Sequence, residues 1–263
     1  MEADTGNSVR QMLNKVPEVT LYFWVIKIMA TTVGETAADY LNFNLHMGLT
    51  KTSILMGLLL LSALVLQLWT RRYIPAIYWI TVVFLSIFGT LITDNLSDNF
   101  GVALTTTTAL FSIALIATFA CWYASEKTLS IHSIFTSRRE LFYWTAILFT
   151  FALGTAAGDL VAEGMQLGYP MSALIFAAVI AAITFAHYQL KLNAIWAFWM
   201  AYILTRPFGA SCGDLLSQAK AAGGLGLGTV GTSALFLIVI LVLVVYLSVS
   251  KRDVIGKPAD TDA

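Results

Sequence analysis

Charged residues are scarce in this sequence. They make up 11% of its 263 residues, against about 25% in a typical soluble domain. The 15 Lys and Arg cancel the 15 Asp and Glu, so no net field draws the chain to nucleic acid, and no basic motif suggests that partner. Cysteine is nearly absent. Cys121 and Cys212 stand alone in apolar segments, which excludes a disulfide framework and a cysteine-based metal or redox centre; free, buried thiols are expected. No His-Glu-x-x-His helix, Gly-x-Ser-x-Gly elbow or phosphate-binding glycine loop is present, so neither an enzyme nor a cofactor is expected. Gly223–Gly228 is glycine-rich but follows no strand, and reads as a flexible connector.

Apolar residues, by contrast, reach 58%, and the mean hydropathy is +0.79. A soluble protein could not hide that much apolar surface, so the chain reads as a polytopic membrane protein whose solvent is the lipid bilayer. Apolar spans fall at about 19–40, 51–69, 75–96, 101–123, 141–162, 169–188, 193–216 and 228–249. Each approaches the ~20 residues that cross a bilayer as helix. The fold class that follows is all-α, with eight transmembrane helices. Residues 1–18 read as a polar N-terminal tail without a cleavage site, and residues 250–263 as a C-terminal tail. The membrane domain, 19–249, divides into units of about 19–69, 75–123, 141–188 and 193–249.

That division rests on a register that occurs four times. Trp24, Gly34 and Asp39 are matched at the same spacing by Trp79, Gly89 and Asp94, by Trp144, Gly154 and Asp159, and by Trp199, Gly209 and Asp214. Periodicity of this kind outranks any local motif. Four positions after each glycine stands another small residue: Ala38, Thr93, Gly158 or Gly213. Small-xxx-small lets two membrane helices bring their backbones together, so Gly34, Gly89, Gly154, Gly158, Gly209 and Gly213 are candidate packing positions. Only the odd-numbered spans carry the register. Each unit is therefore expected to be a helix hairpin, a motif helix followed by a plainer companion.

Basic residues set the orientation. Arg10, Lys15, Arg71, Arg72, Lys127, Arg138, Arg139, Lys191, Lys251, Arg252 and Lys257 fall on one side of the spans, and only Lys51 and Lys220 on the other. Eleven against two places both termini in the cytoplasm. All four repeats then run in the same sense, with their pseudosymmetry axis along the membrane normal. Every register aspartate lies at the outer end of its helix, where Glu35, Asp98 and Glu163 join it.

Four tandem two-helix units with a tryptophan in the first helix resemble a family of uncharacterised bacterial inner-membrane proteins. The stretches that carry the resemblance are Ala30-Thr-Thr-Val-Gly-Glu-Thr-Ala-Ala-Asp39, Gly154-Thr-Ala-Ala-Gly-Asp159 and Arg206-Pro-Phe-Gly-Ala-Ser-Cys-Gly-Asp214; Gly89-Thr-Leu-Ile-Thr-Asp94 is the weakest copy. The resemblance implies a four-repeat membrane fold in the inner membrane and no particular reaction or substrate.

Function must then be read from the ionisable residues. Lys27, Thr31, Glu35 and Asp39 follow at steps of four along one helix, with Ser86, Thr90 and Asp94, Thr155 and Asp159, and Arg206 and Asp214 in the matching places. Lipid tolerates such ridges poorly, so they should face a shared interior. Asp39, Asp94, Asp159, Asp214 and Glu35 are candidates to hold or recruit a small cation, and oxygen ligands of this kind suit Mg²⁺, Ca²⁺ or Mn²⁺. Lys27 and Arg206 would be internal counter-charges, each able to pair with an acid. His46 and Cys212 lie near the same end but read as bystanders, and His132 and His187 lie at the opposite end. Pro207 is expected to break the fourth motif helix around Thr205–Gly209. The leading expectation is a cation transporter or channel with an acidic vestibule. The alternative is a membrane scaffold or partner subunit whose carboxylates serve only helix packing.

Overall fold

The computed structural model describes residues 14–254, all of its regular structure helical. The outer parts of the two expected tails, with Arg10 and Lys257, lie outside the described residues. Eight long helices occupy the eight apolar segments: α1 (Leu21–Asp39), α2 (Leu49–Trp69), α3 (Pro75–Asp94), α4 (Leu104–Glu126), α5 (Ser137–Asp159), α6 (Gly168–Gln189), α7 (Ala194–Ser217) and α8 (Gly228–Ser250). The starts of the motif helices are locally encoded. Thr20, Thr136 and Asn193 accept a backbone N–H of the first turn of α1, α5 and α7, and Pro75 opens α3, where its missing N–H costs nothing. Directly after the register aspartate, α1, α3 and α5 each widen into one π-helical turn: Tyr40–Asn44, Asn95–Asn99 and Leu160–Gly164.

The four motif helices form a closed ring in which α1 packs on α3, α3 on α5, α5 on α7, and α7 back on α1. Glycine makes each contact possible. A Cβ on Gly34 would overlap Ser86, one on Gly89 would overlap Phe151, one on Gly154 would overlap Arg206, and one on Gly209 would overlap Thr31. In all four cases the intruding residue stands three places before the glycine of the next helix, so one contact is used four times around the ring.

The companions do not close hairpins on their own motif helices. The main partner of α2 is α3, of α4 is α5, of α6 is α7, and α8 closes the circle on α1. The expected hairpin is thus corrected to a staggered arrangement, each companion lying outside the motif helix of the following repeat. The reason is geometric: both flanks of a motif helix are taken by its two ring neighbours, and the next motif helix offers the free outer face. Exposed Leu58, Leu61, Ile113, Ile116, Leu174 and Leu241 give the companions an apolar outer surface, which suits lipid and no aqueous environment.

Six helices, namely α2, α3, α4, α5, α6 and α8, are long and apolar enough to cross a membrane. The other two, α1 and α7, hold Lys27, Glu35, Arg206 and Asp214 in the interior. Two further expectations are revised. Cys121 is exposed on α4 and Cys212 half-buried on α7, both free. No interruption occurs at Thr205–Gly209, because α7 runs unbroken with Pro207 inside it. Thr31 and Thr32 donate to the carbonyls of Thr205 and Gly209 at 3.3 and 3.1 Å. The proline ring fills the small face made by Gly154 and Gly158. Neighbouring helices thus hold the proline turn, α1 by these hydrogen bonds and α5 by its small face.

Candidate functional site

Residues four apart on a helix turn only about 40° relative to one another, so a motif helix offers the ring interior a slowly drifting column of side chains. On α1 the column is Phe23, Lys27, Thr31, Glu35 and Asp39; on α3 it is Tyr78, Val82, Ser86, Thr90 and Asp94. On α5 it is Tyr143, Ile147, Phe151, Thr155 and Asp159, and on α7 Phe198, Tyr202, Arg206, Ala210 and Asp214. Four helices and five levels give a layered axis, and its chemistry changes from one end to the other.

The middle of the axis is held by Arg206. Its guanidinium donates to the Thr31 carbonyl at 2.8 Å, to Glu35 Oε2 at 3.0 Å, to Thr155 Oγ1 at 2.7 Å and to Thr90 Oγ1. One side chain therefore ties its own helix to the other three. The Glu35–Arg206 pair is almost wholly enclosed. A pair this deep is stable only when other hydrogen bonds complete it, and here the threonines do so.

One level towards the tryptophans lies Lys27, fully buried with no hydrogen-bond partner for Nζ. The ammonium group sits instead 4.0 Å from the centre of the Phe151 ring and 4.2 Å from that of Tyr202, a cation–π arrangement in a desolvated place. Sealed beside it without partners are Tyr202 OH, Ser86 Oγ and Arg206 Nε. Of the two expected counter-charges, Arg206 takes an acid, Glu35, whereas Lys27 takes two aromatic rings. The cause is spacing, since the aspartates lie two levels beyond Arg206 and three beyond Lys27.

At the aspartate end Asp39, Asp94 and Asp159 are half-buried, and Asp214 is buried. Asp39 accepts a hydrogen bond from Gln218 at 3.2 Å. Among the described residues no ion pair reaches any of the four aspartates. Electrostatic repulsion from Glu35 reaches all four. Asp98 and Glu163 lie exposed on the π turns beyond. Among the described residues no three His, Cys, Asp or Glu side chains converge as ligands for one metal ion. His46 stands in the exposed turn after α1.

The tryptophan end is built in the opposite way. Tyr78 and Tyr143 join their hydroxyls at 2.5 Å, and Trp79, Trp144 and Trp199 are buried around them. Residues 14–17, expected within a polar tail, are buried across this end. Lys15 Nζ binds Glu140 at 2.6 Å and the Leu68 carbonyl at 3.1 Å, and Gln67 donates to the second Glu140 oxygen at 3.3 Å. Tyr73 donates to Asp253 at 2.6 Å. Burial raises both the Asp253 carboxyl and the Tyr73 phenol above their ordinary pKa values, the hydrogen bond from Tyr73 opposing the shift in Asp253.

Of the residues singled out from sequence, the axis brings together Lys27, Glu35 and Arg206, with the four aspartates at one mouth. Sequence reasoning missed Phe151, Tyr78, Tyr143, Tyr202, Lys15 and Glu140. A signal for part of this set was present: an aromatic residue directly precedes the register tryptophan in every copy, as Phe23, Tyr78, Tyr143 and Phe198.

The family model described as Repeat of Unknown Function (DUF347) matches this chain four times, at residues 22–73, 77–128, 142–192 and 197–253. Each match holds one motif helix and the companion after it. No curated protein and no solved structure matches.

Proposed function

Since the chain belongs to the DUF347 repeat family, whose description names no activity, we propose from the site alone that it is a small-cation transporter of the bacterial inner membrane. On this reading the pathway is the ring axis, all eight helices cross the bilayer, and both termini are cytoplasmic. The observation that carries it is the contrast at mid-axis. Arg206 binds Glu35 and threonines of the other three motif helices, while four aspartates just beyond stay without any cationic partner. Unpaired carboxylates recessed among apolar helices are costly, and attraction of a cation is a use that would retain them. Asp39, Asp94, Asp159 and Asp214 would draw the ion in. Displacement of Arg206 from Glu35 would open the axis, and Lys27 would oppose passage until then.

The sealed level of Lys27, Phe151 and Tyr202 favours a second reading, a membrane scaffold with no pathway. Flux in liposomes separates the two. On the transport reading wild type moves a cation from a monovalent and divalent panel, and Asp159→Asn slows that flux with folding intact. A wild type inert to the whole panel, with Asp159→Asn merely melting earlier, would leave only the scaffold. Orientation has its own test: reporter fusions at Asn44 and Glu163 should read periplasmic, and fusions at Arg72 and Ser137 cytoplasmic. A reversed pattern would turn the acidic mouth towards the cytoplasm.

A further inference from the structure

The four companion helices follow a register of their own. Thr52, Thr107, Ser172 and Thr232 occupy equivalent, buried positions on α2, α4, α6 and α8. From there the inward row should pack against the ring down to the tryptophan end. On α2 it does so through Leu60 and Gln67, on α4 through Leu115 and Trp122, and on α8 through Ile240 and Leu247, all buried. On α6 the row leaves the core after Phe176: Ile180, Ile183 and His187 are half-exposed and Thr184 is exposed. Beside them lies a cavity of about 460 Å³ between α6, α7, α1 and the loop at Leu129–His132.

The corresponding place one repeat earlier shows what is missing. Phe119 and Trp122 of α4 reach past α5 to the register tryptophan of α7, with ring centres 4.9 and 5.8 Å from that of Trp199. Their counterparts on α6 are Thr184 and His187, and the tryptophan they would meet is Trp24. Two large rings are replaced by a hydroxyl and an imidazole, and Trp24 is half-buried where Trp79, Trp144 and Trp199 are buried. An inward row that is buried on α2, α4 and α8 is left open on α6.

The lining describes what would enter. No Lys, Arg, Asp or Glu borders the cavity, so a charged ligand would lose its hydration without gaining a counter-ion. Trp24, Ile28, Ile183 and Phe198 offer an apolar body with aromatic faces, and Ser130, His132 and His187 gather the polar groups. His187 Nδ1 lies 2.8 Å from the Leu192 carbonyl, which can only accept, so Nδ1 holds the proton and Nε2 of the neutral ring is an acceptor. We propose that this cavity is a binding site for an uncharged amphiphile with a ring or branched apolar body and a hydroxyl head that donates to His187. Its volume falls within the ~300–1,000 Å³ of ordinary small-molecule sites. The proposal is independent of any transport along the axis.

The test uses the full-length protein in detergent with 4-hexylphenol, and with its methyl ether 4-hexylanisole, which keeps the shape and loses the donor. The phenol should raise the Tm of wild type in a saturable way. The ether should bind about tenfold more weakly, the ratio expected for one lost buried hydrogen bond. T184F/H187W restores the rings of the preceding repeat, and A201F narrows the cavity from the α7 side; either should abolish the response. Equal affinity for phenol and ether, or an unchanged response in a folded variant of either kind, overturns the proposal. Retention of a phospholipid by wild type and its loss from T184F/H187W in native mass spectrometry would assign the cavity to an acyl chain, and overturns it equally.

Discussion

The two ends of the ring are made from the same four helices, yet they treat charge in opposite ways. At the tryptophan end Lys15, Glu140 and Asp253 are all buried, and each is bound by a named partner. At the other end, among the described residues, three of the four register aspartates have no hydrogen bond from a side chain, and Asp39 has one, from Gln218. Close polar pairing is plain at the first end and sparse at the second. Aromatic rings, the buried residues 14–17 and the Lys15–Glu140 pair form a packed plug, in which Gln67 Oε1, Asp253 Oδ1 and the Nε1 of Trp79, Trp122 and Trp144 are nonetheless buried without partners. Repeat architecture alone therefore does not dictate how an end is used, and Arg206 stands at the boundary between the two.

The largest effect should come from that boundary. Arg206→Leu leaves Glu35 buried without its cation and strips a donor from Thr31, Thr90 and Thr155. Removing one partner of a buried pair costs about 3–5 kcal/mol, enough to deplete folded protein in membranes and lower Tm sharply. Arg206→Leu with Glu35→Leu removes both charges and should recover more than half of the loss. A mild single variant would show that the ring does not depend on this link, and that the two ends are not separated by it.

Next comes the plug. Glu140→Gln keeps the size of the side chain but weakens the contact with Lys15, which retains the Leu68 carbonyl. A charge-assisted hydrogen bond of this kind is worth about 1.5–3 kcal/mol, so Tm should fall by less than in Arg206→Leu. The loss should be nearly independent of salt, because the pair is shielded from solvent. A strongly salt-dependent loss would mean that water reaches Glu140, and that this end is no more closed than the other.

How much of this contrast could be read from sequence differs by level. The helices were legible because apolar length and the Trp–Gly–Asp register both mark them. The cyclic order of the ring was legible only in part, since small-xxx-small announces a close contact without naming the partner. That the intruder is always the residue three places before the next glycine, Ser86, Phe151, Arg206 or Thr31, is a fact of three dimensions. The staggered companions were illegible for the same reason, as nothing in α2 says that its neighbour is α3. Which group a buried cation meets is not written in a ridge: Lys27 and Asp39 share a column, but two levels stand between them, and the rings of Phe151 and Tyr202 come nearer. Glu140 gave no signal at all, its partner Lys15 standing more than a hundred residues away.

The smallest effect, and the most diagnostic, belongs to Asp94. Glu35, Asp39 and Asp98 all repel it, and only Arg206, already bound to Glu35, attracts it. Asp94→Asn keeps the shape and removes one member of that set of like charges. If the aspartates served packing, the variant would lose a structural acceptor and melt earlier. On the acidic-mouth reading the change should instead be neutral or slightly stabilising, because it relieves like-charge repulsion. The gain should be larger at low ionic strength, because the screening length grows from ~8 Å at physiological salt to ~30 Å at 0.01 M. Tm of wild type and Asp94→Asn, compared across that range beside Glu140→Gln, sets the two ends against each other. Opposite signs, with salt dependence at the aspartate end only, are what the contrast requires. A shared loss of stability at both ends, insensitive to salt, would reduce the acidic mouth to another packed end of the bundle.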